Sequence, residues 1–297
     1  MAKVDNYYKH YVPSVPAAIA AGIIFAILTI AHIVLMSKSN PRRKFTIAFV
    51  IGGACRFWAE SDDAKSFLLI SSPGEVIGFF TRAASHYHVD SLALYLVQVL
   101  LIVLSPILLA ASVYMFLGRL ITAADGEQYS PIRRKWMSKI FLLGDWLCLQ
   151  VQSSGVSWLG SAKSASSIQG ARDIVLAGLA LQVLFFIFFL SVAGLWQARV
   201  RSLPLWERCR ESGLPLGRIL LSLYLVGILM VARNTYRLAE YAQGDDGYLN
   251  SYEWPAYSFD AVLMAAVMAI ALFWYTIELQ PKDSQPALHL RTFSNLS

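Results

Sequence analysis

Long apolar runs separated by short polar loops make up most of this chain. The first run is Val15–Met36, and it ends in the basic loop Ser37-Lys-Ser-Asn-Pro-Arg-Arg-Lys44. A second begins near Phe45 and is interrupted. The third is Leu92–Leu117, the fourth Ile140–Leu159 and the fifth Ile174–Gln197. The sixth is Ile219–Tyr241 and the seventh Tyr257–Ile277, with Pro281 marking the exit. Each uninterrupted run approaches or exceeds the roughly 20 residues that a helix needs to cross the hydrocarbon layer. In lipid the backbone must satisfy its own hydrogen bonds, so such runs are read as helices. The pattern predicts an all-α polytopic membrane protein, a bundle of seven transmembrane helices. Residues 1–14 form an arm, 15–279 the membrane domain and 280–297 a tail.

Composition strengthens this reading. The 297 residues are 57% hydrophobic and 15% charged, with mean hydropathy +0.52, whereas soluble domains carry about 25% charged residues. The net charge of +6 is scattered between apolar runs, which argues against a nucleic-acid-binding face. Its distribution sets the orientation. The first loop holds Lys38, Arg42, Arg43 and Lys44. The third holds Arg119, Arg133, Arg134, Lys135 and Lys139. The fifth holds Arg199, Arg201, Arg208, Arg210 and Arg218. The N-terminal arm and the even loops hold only Lys3, Lys9, Arg82, Lys163 and Arg172 once the interrupted second run is set aside. The expected orientation is N-terminus outside and C-terminus cytoplasmic, with the first apolar run acting as insertion signal and no cleavable signal peptide. Asn295-Leu-Ser297 then lies on the cytoplasmic side and escapes glycosylation.

Ionisable groups at bilayer depth are costly and face a bundle interior or a wet cavity. Here they are His32, Glu75, Arg82, Asp145, Arg233, Arg237, Glu240 and Asp260, joined by the neutral polar Gln98, Gln152 and Gln182. Arg233, Arg237 and Glu240 fall at i, i+4 and i+7, one face of the sixth helix. Asp260 opens the next helix within reach of that stripe. Two readings stand for this set: a network that glues helices together, or the lining of a path for an amphiphile. Asp145 and Gln152 also share a face, and Ser153, Ser154 and Gly155 permit close helix approach. His32 alone reads as a hydrogen-bonded packing residue. Cys55, Cys148 and Cys209 have no disulfide or zinc spacing, and neither HExxH nor a phosphate-binding GxxxxGK[ST] loop is present. No metal, no cofactor and no enzymatic activity are expected.

Several stretches carry a resemblance. They are Tyr11-Val-Pro-Ser-Val-Pro-Ala-Ala; Glu75-Val-Ile-Gly-Phe-Phe-Thr-Arg82; Ser105 to Arg119; Asp145 to Gly155; and Gly178-Leu-Ala-Leu-Gln182. Arg233-Asn-Thr-Tyr-Arg-Leu-Ala-Glu-Tyr241, then Glu253 and Tyr257-Ser-Phe-Asp260, complete the set. In this order they resemble the fungal RTA-like lipid-translocating exporter family, with Phe79 where the family usually has tyrosine. The resemblance implies a seven-helix protein that exports or translocates sphingoid long-chain bases or sterol-like toxic amphiphiles. It also implies a link to stress resistance. The alternative is a receptor-like sensor of membrane lipid asymmetry that moves nothing. Partners would be membrane lipids or amphiphilic small molecules. The plasma membrane is the expected location and an endomembrane the alternative. Glu75, Arg82, Asp145, Gln152, Gln182, Arg233, Arg237, Glu240 and Asp260 would line or brace the central cavity. A cationic headgroup would need one of the carboxylates, and an anionic one an arginine.

The second helix departs from the family. Nineteen residues, Arg56–Gly74, separate Ile51-Gly-Gly-Ala-Cys55 from Glu75 and bring in Asp62, Asp63 and Lys65. Without them Phe45–Cys55 and Glu75–Thr81 join into 18 residues, about one span. The segment reads as retained intron sequence, its length being a whole number of codons, or as a genuine outer loop.

Overall fold

The computed structural model describes residues 14–39, 64–87, 91–161, 164–211, 214–244 and 247–276. All regular structure among them is helical. The long helices are α1 (Val15–Ser39), α2 (Ala64–Ser85), α3 (Leu92–Ala123), α4 (Arg134–Ser161) and α5 (Ala165–Arg201). The short α6 (Pro204–Glu211) leads into α7 (Leu216–Gln243), and α8 (Tyr248–Ser251) is a single turn. The last helix, 254–276, is composite. An opening turn, α9 (Trp254–Ala256), runs into a π-helical turn (Tyr257–Ala261), then α10 (Val262–Ala271) and a 3-10 end (Leu272–Thr276).

Among the described residues, five stretches are long and apolar enough to cross a membrane: Val15–Leu35, Leu104–Ala123, Ser166–Arg201, Leu216–Gln243 and Trp254–Tyr275. The helices outrun the apolar stretches that predict them, because their polar end turns remain helical. Helix α5 begins at Ala165, ahead of the expected Ile174, since the Ser164 side chain caps it by accepting from the Ser167 amide at 3.2 Å. The second helix among the described residues begins at Ala64. Its first half, through Gly74, is the second half of the segment that interrupts the family pattern. Phe45–Cys55 and the segment's first residues, 56–63, lie outside the described residues.

Neighbouring long helices run antiparallel, as paired contacts show. Gly78 meets Ile102 and Gly74 meets Ser105 between α2 and α3. Tyr114 meets Asp145, and Gly118 meets Met137, between α3 and α4. Tyr224 donates to Gln197 and Gly227 meets Leu190 between α7 and α5. Arg233 meets Asp260, and Ser222 meets Trp274, between α7 and the last helix. The last helix returns to α1 and runs parallel to it: Glu253 takes the Ser14 amide, and His32 Nε2 lies 3.1 Å from the Met268 carbonyl oxygen. Helix α3 sits innermost, with Leu104–Ala123 78% buried against 33% for Val15–Leu35 of α1.

The surface is apolar and much of the polarity is inside, the inverse of a soluble bundle. Ile19, Ile23, Ile27, Ile30 and Val34 form an exposed stripe along α1, and Leu221, Leu225 and Ile228 another on α7. Buried polar groups include His32, Glu75, Gln98, Asp145, Gln182, Arg233, Asn234 and Asp260. Helices α4 and α5 meet along a small-residue seam. A Cβ on Gly178 would lie 3.2 Å from the Cys148 carbonyl oxygen, and one on Gly155 would lie 2.9 Å from that of Ala171. Ser153 and Ser154 instead face outward, and Ser154 returns its hydroxyl to the Val151 carbonyl at 2.7 Å.

A buried charge cluster as candidate functional site

Helix α7 carries the cationic half of the cluster. The spacing of Arg233, Arg237 and Glu240 puts all three on the side that faces the last helix. There the π-helical turn at 257–261 inserts an extra residue into the helical ladder and presents Asp260 inward. Such turns are rare and recur at functional positions. Arg233 Nε donates to Asp260 Oδ1 at 2.5 Å, and Arg237 Nη2 pairs with Asp260 Oδ2. Arg237 Nη1 donates to Glu240 Oε2 at 3.0 Å, and Arg233 also reaches Asn234 Oδ1 at 3.4 Å. One aspartate thus bridges two guanidiniums, and Glu240 balances the second. These four charges sum to zero.

Glu75 adds a fifth ionisable group from α2. Glu75, Phe79 and Arg82 share one face of that helix at i, i+4 and i+7. Glu75 is 4% exposed, and the charges that act on it are Asp260, Arg233 and Arg237. Its Oε1 is buried without a hydrogen-bond partner, and Glu75 forms no salt bridge among the described residues. Above it Phe79 stacks on Phe25 of α1, with centroids 5.3 Å apart, and approaches Tyr257 at 6.1 Å.

Beyond that aromatic layer lies a second ionic node, centred on Glu253. Its carboxylate accepts from the Ser14 amide at 2.9 Å, from Arg82 Nη2 at 3.2 Å and from the Tyr257 hydroxyl at 3.2 Å. Arg82 also stacks over the Tyr257 ring at 5.6 Å. One side chain thereby ties the start of α1, the end of α2 and the last helix. Glu253 was not among the site candidates read from the sequence. It sits in a polar loop, where acidic residues read as solvated, and the available signal was its i, i+4 spacing from Tyr257. Replacing it with glutamine keeps an acceptor but removes the charge that Arg82 faces. The expected cost is about 1–1.5 kcal/mol, read as a lowered thermal unfolding midpoint in detergent, with Glu253→Ala costing more.

The remaining candidates brace other seams. Asp145 is fully buried and accepts from the Tyr114 hydroxyl at 2.8 Å, inside a box of Phe141, Phe186 and Phe189. Gln152, seven residues on, turns to α5 and donates to Gln182 Oε1 at 3.2 Å. The shared face therefore serves two partners: Asp145 joins α4 to α3, and Gln152 joins it to α5. Among the described residues neither forms a hydrogen bond or ion pair with the charge cluster. Tyr114, the partner of Asp145, was not singled out in the sequence.

A family model described as RTA1 like protein matches residues 68–283. Protein RTA1 of Saccharomyces cerevisiae is 27% identical over 274 residues, 91% of this chain and 85% of that protein. Protoporphyrin uptake protein 1 of the same yeast is 28% identical over 279 residues, covering 87% of this chain and 88% of that one. The yeast sphingoid long-chain base transporter RSB1 is 26% identical over 305 residues, covering 92% and 74%. No solved structure matches. Five helices able to cross a bilayer, together with this family match, make the chain an integral, multi-pass membrane protein. The resemblance carried by the scattered motifs and the match over most of the chain agree: the protein is a member of the RTA1-like family.

Proposed function

We propose that this protein crosses the membrane seven times, N-terminus outside, and translocates amphiphilic lipids through the region of the Glu75–Arg233–Arg237–Glu240–Asp260 cluster. The observation that carries the reading is the cluster itself. Five ionisable side chains from three helices converge inside a bundle whose outer surface is apolar. In a membrane such groups are retained where a substrate or ion passes. The alternation of helix directions supports seven crossings, since α2 and α4 fill the places between recognised spans. Helices of 22 and 28 residues reach roughly 33 and 42 Å, enough to cross. Aromatic side chains support the same levels. Tyr87, Trp158, Tyr248, Tyr252 and Trp254 are exposed at one end, and Trp136 is exposed at the start of α4, toward the other. The names of the yeast relatives, a sphingoid-base transporter and a protoporphyrin uptake protein, support an amphiphilic cargo.

Purified protein reconstituted in liposomes with a fluorescent sphingoid base tests this. The wild type is expected to accelerate movement of the base between leaflets. Glu240→Gln leaves Arg237 with Asp260 alone and is expected to slow that movement at least tenfold with folding intact. Failure of well-folded protein to move any tested amphiphile would overturn the reading and leave a sensor of lipid asymmetry as the function.

A further inference from the structure

We propose that Glu75 binds the ammonium group of a long-chain primary amine in exchange for a proton, so that amine movement is coupled to proton counter-movement. The inference rests on the translocator reading and names its headgroup site and coupling ion.

The arginines are already spoken for. Asp260 bridges Arg233 and Arg237, and Glu240 pairs with Nη1 of Arg237, whose Nε is buried without a hydrogen-bond partner. Each guanidinium already has its charge balanced by a carboxylate, so an anionic headgroup would add surplus negative charge, whereas a cationic headgroup would offset the one that Glu75 brings. Within this cluster Glu75 is the acidic group in excess of the two arginines, 4% exposed, with Oε1 buried and unpartnered. An isolated carboxylate in a low-dielectric interior is too costly to persist, so it is neutralised by a proton or by a cation. The groups facing it allow both. From α7 come Arg233 and Arg237 and from the last helix Asp260. Helices α1 and α3, which pack along α2, bring the uncharged Phe25, Leu101, Ile102 and Ser105. With Glu75 protonated the five-residue cluster is neutral. With an alkylammonium in place of the proton it is neutral again. The balance is one proton released to water as one ammonium–carboxylate pair forms. The two occupants exclude each other because the excess negative charge is a single one. The aromatic rings of Phe25, Phe79 and Tyr257 beside Glu75 suit the first methylenes of the chain.

The test measures binding and transport separately, with dodecylamine as the binding probe. Calorimetric titration of the detergent-solubilised protein in two buffers of different ionisation enthalpy is expected to show proton release approaching one per bound amine. Affinity is expected to weaken as pH falls and Glu75 retains its proton. Glu75→Gln, an isosteric change that removes the exchangeable proton, abolishes the release and weakens binding roughly thirtyfold or more. In liposomes loaded with a pH dye, an outward amine flux is expected to carry protons inward in the wild type and not in Glu75→Gln. Wild-type affinity and proton release in folded Glu75→Gln would overturn the proposal, as would amine transport with no proton flux. That last result would leave the translocator reading standing. Proton-linked binding without transport would uphold the site and overturn translocation alone.

Discussion

Replacing Asp260 with alanine is expected to lower stability by about 3–5 kcal/mol. Asp260 is 5% exposed and is the shared acceptor of Arg233 and Arg237. Its loss leaves Arg233 as a buried cation without an ion pair among the described residues, its remaining hydrogen-bond partner there being Asn234 at 3.4 Å. Arg237 keeps Glu240, so the damage falls mainly on Arg233. The double change Arg233→Met with Asp260→Met removes both members of the inner pair and leaves Arg237 balanced by Glu240. It is expected to recover more than half of the loss. The midpoint of thermal unfolding in detergent, compared across the two singles and the double, isolates the coupling. A double variant no better than Asp260→Ala would mean that the π-helical turn itself, and not the unpaired cation, needs the aspartate.

Gly155→Leu is expected to cost about 3 kcal/mol, at the upper end of overpacking. At Gly155 a side chain has nowhere to go. Its Cβ would lie 2.9 Å from the Ala171 carbonyl oxygen, 3.0 Å from the Val175 amide nitrogen and 2.7 Å from Val175 Cγ2. Backbone cannot swing aside as a flexible side chain can, so α4 and α5 must separate. Separation also stretches the Gln152–Gln182 hydrogen bond one turn away. Ser154→Leu is the control: Ser154 faces outward and bonds only its own helix, so a leucine there meets lipid and leaves stability unchanged. Unfolding midpoints of the two variants check the contrast. Equal midpoints would mean that the seam is looser than its geometry.

These two sites differ in how far the sequence announced them. The spacing of Arg233, Arg237 and Glu240 was legible because helical periodicity and the cost of charge in lipid leave few alternatives for such a stripe. That Asp260 would serve both arginines was not, since it depends on a π-helical turn that moves its side chain relative to an ideal helix. Gly155 stood beside Ser153 and Ser154 as one of three small residues. Periodicity did not tell which of them met α5, because the answer rests on the angle at which the helices cross. Glu253, named with the family motifs, was not read as a site residue for a related reason. A carboxylate in a loop is read as solvated until folding brings Ser14, Arg82 and Tyr257 around it from the distant start of α1, the end of α2 and the following turn.

The sequence by itself determined the helical membrane class, the buried ionisable residues and the family. Each follows from local composition, periodicity or ordered motifs, which survive without coordinates. Tertiary structure decided the pairings. It neutralised both arginines within the protein, separated Asp145 and Gln152 onto different neighbours, and left Glu75 beside the charge cluster without an ion-pair partner among the described residues. Charge balance inside a bundle is a property of distances between helices, and those distances are set by packing of side chains far apart along the chain.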